Sequence, residues 1–274
     1  MPTYRDYYFS LKNNQNYAFN DTIIYSLLTD VSNLDKEHLI IHFDDEVKEK
    51  EKLDKYIARI IAGEPYQYVL GYAYFLGNKF IVTQDVLIPR QETEQLVLDA
   101  VNIIKKSFNR KVRVLDMCSG SGCIGISIAK LVDSDVDMVD ISSRANEVAQ
   151  NNNILNKTKC RIIESDLFSN LEVKKYDVII SNPPYIKDES TVDKMTMLNE
   201  PHLALFARPQ TKFYEKIMVK CSDFLAKNGI LAFEIEEDME DSLTSLVKQY
   251  LPNSSFFFQK DIYNKTRFLY IIRK

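Results

Sequence analysis

The sequence predicts an α/β fold: a mostly parallel sheet with helices on both faces, preceded by a small helical domain. Three observations carry this. From Val112 onward, short apolar runs alternate with helical stretches, and a βαβ series folds as a parallel sheet with right-handed crossovers. The run Val178-Ile179-Ile180 is apolar throughout, as a strand buried on both faces must be. Residues 1–63, by contrast, space their apolar side chains at helical intervals.

In chain order, Asn20 or Asp21 is expected to cap a helix carrying Ile23, Ile24, Leu27 and Leu28. Asp44 is expected to cap a longer one with Leu53, Ile57, Ile60 and Ile61 on one face, stopped by Gly63 and Pro65. The charged run 44–55 reads as the solvated face of that helix. Aromatic and β-branched residues dominate 66–88, and 75–82 reads as a hairpin turning at Gly77-Asn78. Residues 89–94 lead into a helix with Leu96, Val97, Ala100, Val101 and Ile104. Strands are predicted at 112–116, 136–139, 161–163, 176–181 and 230–235. Helices are predicted at 121–131, 142–152 and 209–226, the last ended by Asn228-Gly229, with one more reaching Tyr250. Residues 256–258 and 268–272 read as a closing antiparallel pair, which makes seven strands. The expected domains are 1–63 (helical), 64–90 (a hairpin connector) and 91–274 (α/β). No Gly/Ser-rich linker separates them, so the parts are expected to be docked.

The net charge is −4 over 274 residues. Residues 1–85 hold nine Lys/Arg against thirteen Asp/Glu, and the remainder balances at twenty-six of each. A nucleic-acid module would show a basic face, so no direct nucleic-acid partner is expected. Cys118, Cys123, Cys160 and Cys221 form no C-x-x-C pair, and His38, His42 and His202 are not spaced near them. Neither a metal site nor a disulfide framework is expected, which suits a reducing cytoplasm. No stretch approaches the ~20 apolar residues of a membrane span, and no apolar leader follows Met1.

Asn182-Pro183-Pro184-Tyr185 follows that buried strand, at the carboxyl edge where open α/β sheets bind ligands. The prolines fix φ and lack N–H groups. Asn182 Oδ1 and the Pro183 carbonyl are expected to accept the two hydrogens of a planar –NH2 group, with Tyr185 stacked on its plane. That suits alkylation of an amide or an exocyclic amine. Read alone, Asn-Pro is a turn signal. Upstream, Cys118-Ser119-Gly120-Ser121-Gly122 joins the first strand of the series to its helix, where small residues let a ligand approach free backbone N–H groups. Asp140 ends the next strand and is placed to accept ribose hydroxyls. Asp166 follows the third, placed for an adenine amino group, with Leu167 or Phe168 against the ring. Any one of these Asp residues alone reads as a cap. Their recurrence in successive βα loops points to one cofactor bound across all of them.

This order resembles the Rossmann-like class I S-adenosylmethionine-dependent methyltransferases. Within them it resembles the protein-(glutamine-N5) methyltransferases that modify peptide chain release factors. The resemblance rests on Gly63-Glu64-Pro65-Tyr66-Gln67-Tyr68, Phe75-Leu76-Gly77, Val86-Leu87-Ile88-Pro89-Arg90 and Glu92-Thr93-Glu94. It continues through Gly120-Ser121-Gly122-Cys123-Ile124, Asp140-Ile141-Ser142, Asp166-Leu167-Phe168, Asn182-Pro183-Pro184-Tyr185-Ile186 and Glu200-Pro201. It implies a seven-stranded sheet, S-adenosylmethionine as cofactor and methyl transfer to the glutamine of a Gly-Gly-Gln loop. It also implies a release factor as partner, met by the N-terminal helices of a cytoplasmic monomer. Cofactor contacts are expected from Cys118, Ser119, Gly120, Ser121, Gly122, Asp140, Asp166, Leu167 and Asn182. Catalytic and substrate contacts are expected from Asn182, Pro183, Pro184 and Tyr185. The family usually has glycine where this chain has Cys118, proline at Gln91, Glu-Ile-Gly at Glu234-Ile235-Glu236 and Gly-Gly-x-Asp-Gly near 206–211. Alternatives with related chemistry are a ribosomal-protein glutamine methyltransferase and an adenine-N6 or guanine-N2 nucleic-acid methyltransferase. A degenerate, non-catalytic binder is the alternative from another class.

Overall fold

The computed structural model describes residues 2–274. The chain divides into two compact units, one ending at Gly71 and the other spanning Tyr72–Lys274. The segment 64–90, expected to be one connector, is divided between them.

The first unit is helical: α1 (Tyr4–Lys12), α2 (Asp21–Ser32), α3 (Lys36–Ile41), α4 (Lys50–Ile61) and α5 (Tyr66–Leu70). Thr3 and Asp6 form a reciprocal capping box on α1. The Asn20 side chain accepts from the Ile23 N–H at 2.9 Å and caps α2. Asp44 caps no helix among the described residues; its carboxylate pairs with Arg5 Nε at 2.6 Å. Helix α4 starts later, at Lys50, because residues 45–47 are engaged elsewhere: Tyr4 N–H donates to the Asp45 carbonyl and Val47 N–H to the Pro2 carbonyl. Ile24, Leu27, Leu28, Leu39, Leu53 and Ile60 fill the core of this unit.

The second unit opens with a hairpin, β1 (Tyr72–Phe75) and β2 (Asn78–Ile81). Phe75 pairs with Asn78, so the turn is Leu76-Gly77, one residue earlier than expected. Both turn residues have positive φ (46° and 72°), as a two-residue hairpin turn that follows the strand twist requires. The Leu76 N–H is held by Glu94 Oε1 at 2.6 Å.

Then follow α6 (Gln91–Ser107), β3 (Val112–Met117), α7 (Cys123–Leu131), β4 (Ser134–Asp140), α8 (Ser143–Leu155), β5 (Arg161–Glu164) and β6 (Tyr176–Ser181). The chain continues through two short helices, α9 (Lys194–Asn199) and α10 (His202–Leu205), then α11 (Lys212–Phe224), β7 (Leu225–Glu234), α12 (Glu240–Tyr250), β8 (Ser255–Lys260) and β9 (Thr266–Ile272). The sheet order is β5-β4-β3-β6-β7-β9-β8. The first five are mutually parallel, and β9 runs antiparallel to both β7 and β8. One face buries Phe75, Phe80, Leu96, Val97 and Ile126; the other buries Tyr214, Ile217, Leu243 and Val247.

Two boundaries depart from expectation. Helix α7 begins at Cys123 rather than Ser121, because Gly122 (φ 78°) closes a turn onto the Ser119 carbonyl at 2.8 Å before the helix starts. A Cβ at Gly122 would meet Met138 Sδ at 3.1 Å, so this position is both left-handed and crowded. The predicted 209–226 helix is shorter, and Asn228-Gly229 lies within β7, where the pairing with β6 slips. The Asn228 N–H finds the Arg273 carbonyl at 2.8 Å, so the irregular stretch stays bonded.

Candidate active site

Strand register brings the loops together. Met117 lies beside Val139 on one flank and Ser181 on the other, and Asp140 lies beside Glu164. The segments 118–122, 140–142, 165–168 and 182–185 therefore leave the sheet at one edge. The Ser181 hydroxyl donates to the Met117 carbonyl at 2.6 Å and ties two of these strand ends.

A cleft of about 360 Å³ runs along this edge. Cys118, Ser119, Gly120, Ser121, Asp140, Asp166, Leu167 and Asn182, the residues expected to contact a cofactor, line it together. Gly122 does not; it packs behind the loop. Asp140 accepts from the Gly120 N–H at 2.8 Å and the Ser142 N–H at 2.9 Å, which holds the first two βα loops in register. Burial raises its pKa, and these N–H groups oppose the rise. Leu167 lines the cleft, whereas Phe168 turns inward and stacks on Phe224 with centroids 4.5 Å apart. Behind the loop, Asp116 is fully buried and, among the described residues, accepts only the Gly125 N–H, at 2.8 Å; burial pushes its pKa up to about 8.

A second cavity of about 690 Å³ opens beside the first. It is lined by five carboxylates (Asp193, Glu234, Glu236, Glu237 and Asp238) against Arg90 and Lys187, with Tyr185 in its wall. Asn182, Arg90, Leu87 and Ala204 line both cavities. Of the tetrad, Asn182 faces both, Pro184 the first and Tyr185 the second. Pro183 is buried and is not among the residues lining either cavity.

The sequence marked 89–94 as a wall of the site but assigned no role to Glu234 or to the bonds that hold this junction. Asn182 Nδ2 lies 3.4 Å from Thr93 Oγ1, which in turn lies 2.6 Å from Glu234 Oε2. The Tyr185 hydroxyl faces the other carboxylate oxygen at 3.4 Å. Burial raises Glu234 to about 7, with the Thr93 hydrogen bond opposing and Glu92 adding to the rise. Burial also raises the Tyr185 phenol well above its ordinary value, helped by Glu234 and Glu236. Glu200, almost wholly buried, accepts from Arg90 Nη2 at 2.5 Å and from the Ile88 N–H at 3.2 Å. Glu234 is visible in sequence as a carboxylate ending the apolar run 230–233, and Arg90, Thr93 and Glu200 lie in the motifs quoted above.

Comparison with known proteins agrees with this layout. Residues 10–71 match the family description "PrmC N-terminal domain" and residues 95–205 match "Methyltransferase small domain". A protein named release factor glutamine methyltransferase from Leptospira interrogans is 35% identical over 90% of this chain and 89% of its own. Another of that name, from Flavobacterium psychrophilum, is 36% identical over 75% of this chain and 74% of its own. Among solved structures, a methyltransferase from Pyrococcus furiosus aligns at TM-score 0.53 and 16% identity, over 80% of this chain and 98% of that one. The 16S rRNA N2 G1207 methyltransferase of T. thermophilus, in complex with AdoMet and guanosine, aligns at TM-score 0.54 and 16% identity, over 74% of this chain and 50% of that one. These structural likenesses establish the class I methyltransferase fold.

Proposed function

The chain belongs to the release factor glutamine methyltransferase family, and from that membership and the junction at Asn182 we propose that it methylates the side-chain amide nitrogen of the glutamine in a release-factor Gly-Gly-Gln loop. The observation that carries the reading is that Asn182 belongs to the walls of both cavities. One cavity takes the methyl donor, S-adenosylmethionine, and the other takes the glutamine.

The residues of the first cavity fit that donor. Ser119 Oγ is buried there without a hydrogen-bond partner among the described residues. Gly120, at φ 50°, leaves open space beside its backbone. A carboxylate offers about four lone-pair sites. Asp140 spends two on N–H groups, which leaves capacity for ribose hydroxyls. Asp166 is exposed toward the cleft and available to an adenine amino group. When bound, the donor supplies a methyl group on a positively charged sulfur.

An amide nitrogen is a poor nucleophile because its lone pair is delocalised. Asn182 Oδ1 accepts one hydrogen of the substrate amide, orients the nitrogen toward the donor cavity and supports the positive charge that grows on it. Pro183 and Pro184 fix the backbone that carries Asn182. Tyr185 packs on the amide plane. The segment 89–94 walls the junction and limits water, which favours a reaction that discharges a sulfonium. We further infer a cytoplasmic monomer whose N-terminal unit meets the protein substrate without touching nucleic acid. Among the described residues, no helix is long and apolar enough to cross a membrane.

The test is transfer of labelled methyl groups to a purified release factor, to its Gln→Ala loop variant, and to RNA and DNA separately. Label on the release factor that vanishes with the loop variant is expected. Label on nucleic acid alone would overturn the substrate assignment. Asn182→Ala should abolish transfer while cofactor affinity stays within about tenfold, the pattern of an interaction made in the transition state.

A further inference from the structure

An asparagine amide has two orientations of nearly the same shape, and only one serves the role given to Asn182. Its Oδ1 must face the substrate, so its Nδ2 must face protein. Nδ2 only donates and Oδ1 only accepts. What selects between them is the neighbour on the protein side, Thr93 Oγ1, at 3.4 Å. A hydroxyl can answer either end of the amide, because it both donates and accepts. Thr93 alone therefore specifies nothing.

Glu234 removes the ambiguity. Its Oε2 lies 2.6 Å from Thr93 Oγ1, and both residues are 3% exposed. An ionised carboxylate accepts only. It therefore claims the single proton of the Thr93 hydroxyl, and Thr93 is left with lone pairs to present to Asn182. Nδ2 turns toward Thr93 and Oδ1 turns toward the cavity junction. The other oxygen of the same carboxylate, Oε1, receives the Tyr185 hydroxyl at 3.4 Å. One buried carboxylate thus touches both substrate-facing side chains of the tetrad, one directly and one through a hydroxyl.

We propose that Thr93 and Glu234 are positioning residues for methyl transfer: the Glu234 carboxylate, acting through the Thr93 hydroxyl, sets the orientation of the Asn182 amide and tethers the Tyr185 ring. This rests on the reading of Asn182 as the acceptor for the substrate amide. Protonation of Glu234 breaks the selection. A neutral carboxyl can donate to Thr93, which frees the Thr93 proton for Asn182 Oδ1 and permits the unproductive orientation. The groups that face Glu234 keep that proton within reach of neutral pH. Burial raises its pKa to about 7, Thr93, Arg267 and Tyr185 lower it, and Glu92 raises it. The Tyr214 and Tyr270 phenols and the Cys123 thiol also face it, and all three stay neutral there.

The test compares Thr93→Val, Thr93→Ser, Glu234→Gln and Asn182→Ala in methyl transfer to a release factor. Binding of S-adenosylhomocysteine and thermal melting serve as controls for the fold. Valine keeps the shape of Thr93 without the hydroxyl, so kcat should fall about a hundredfold, the cost of a misplaced catalytic group. The KM for S-adenosylmethionine should not change. Serine restores the hydroxyl and should restore kcat. Glutamine at 234 still accepts from Thr93 but does not titrate. The parent's kcat should rise with pH through neutrality, and that limb should be missing in Glu234→Gln. Full kcat in Thr93→Val, a serine variant as slow as valine, or a limb that persists in Glu234→Gln would each overturn the relay. If Asn182→Ala turns over normally, the acceptor reading fails first. If Asn182→Ala is dead while Thr93→Val is not, the relay alone is wrong.

Discussion

Cys118 sits in a backbone conformation that L side chains seldom take, with φ 61°. The left-handed region costs a non-glycine residue roughly 1–2 kcal/mol. Glycine would remove that cost and add about 0.5–1 kcal/mol of unfolded-state entropy. It would also forfeit the packing of the Cys118 side chain against the core beneath the second sheet face. These effects nearly cancel, which explains how the loop keeps its shape with a non-glycine residue at this position. Cys118→Gly is therefore expected to unfold in urea within about 1 kcal/mol of the parent. Cys118→Val should lose about 2 kcal/mol or more, because a β-branched residue at positive φ is a true outlier. Equal stability of the valine and cysteine forms would show that the loop relaxes to another conformation. Burial, with Asp140 adding, raises the pKa of the Cys118 thiol.

At the scale of elements, the buried carboxylate of Glu200 joins segments far apart in sequence. It binds Arg90 at the start of α6 and the Ile88 N–H ahead of it, and Glu200 itself closes α9. Removing Arg90 strands a charge whose side chain is 2% exposed. Loss of one partner of a buried pair costs about 3–5 kcal/mol, and the partial exposure of Arg90 lowers that to about 2 kcal/mol. Arg90→Ala should therefore lower the urea midpoint and raise the KM for the release factor, since Arg90 walls both cavities. A variant with unchanged midpoint and KM would show that the pair is ornamental. This pairing also marks where sequence stops being legible. The parallel strands and their end loops were readable, because a strand buried on both faces leaves an unbroken apolar run and the ligand loops follow it. Asp140, Asp166 and Asn182 were placed on that edge in this way, and all three line the cleft there. The Asp44 cap was misread because the carboxylate pairs with Arg5, and local pattern cannot foresee a tertiary partner. Thr93 and Glu234 were present in quoted motifs, but their bond spans 141 positions, and nothing local announces it.

Over the whole molecule, Asp116 and Glu234, with Asp140 raised in the same sense by burial, tilt stability toward acid. Asp116 is raised from 3.8 to about 8 and Glu234 from 4.5 to about 7, burial being the main cause for both. Each binds its proton more tightly in the folded state than in the unfolded one. Its contribution is complete below the unfolded value and is lost as pH rises through the folded value. Asp177 acts in the opposite sense. Burial opposes its charge, but hydrogen bonds from Arg110 and the Arg113 N–H outweigh burial and lower its pKa, so its contribution is lost as pH falls. Stability should therefore peak on the acid side of neutrality, near about pH 5, and fall toward about pH 8. Asp116→Asn isolates the larger of the two shifts. Asparagine retains an acceptor for the Gly125 N–H and carries no titrating proton. Asp140 and the thiols of Cys118, Cys123 and Cys160, which share the field of Asp116, are left in place. Urea unfolding across this range should show a shallower decline in Asp116→Asn than in the parent, and a shallower one again on adding Glu234→Gln, with Asp140 left to contribute the remainder. A decline as steep in the double variant as in the parent would mean that both carboxyls stay ionised in the folded protein. The burial of Asp116 beneath the 118–122 loop would then be offset by a partner beyond the Gly125 N–H.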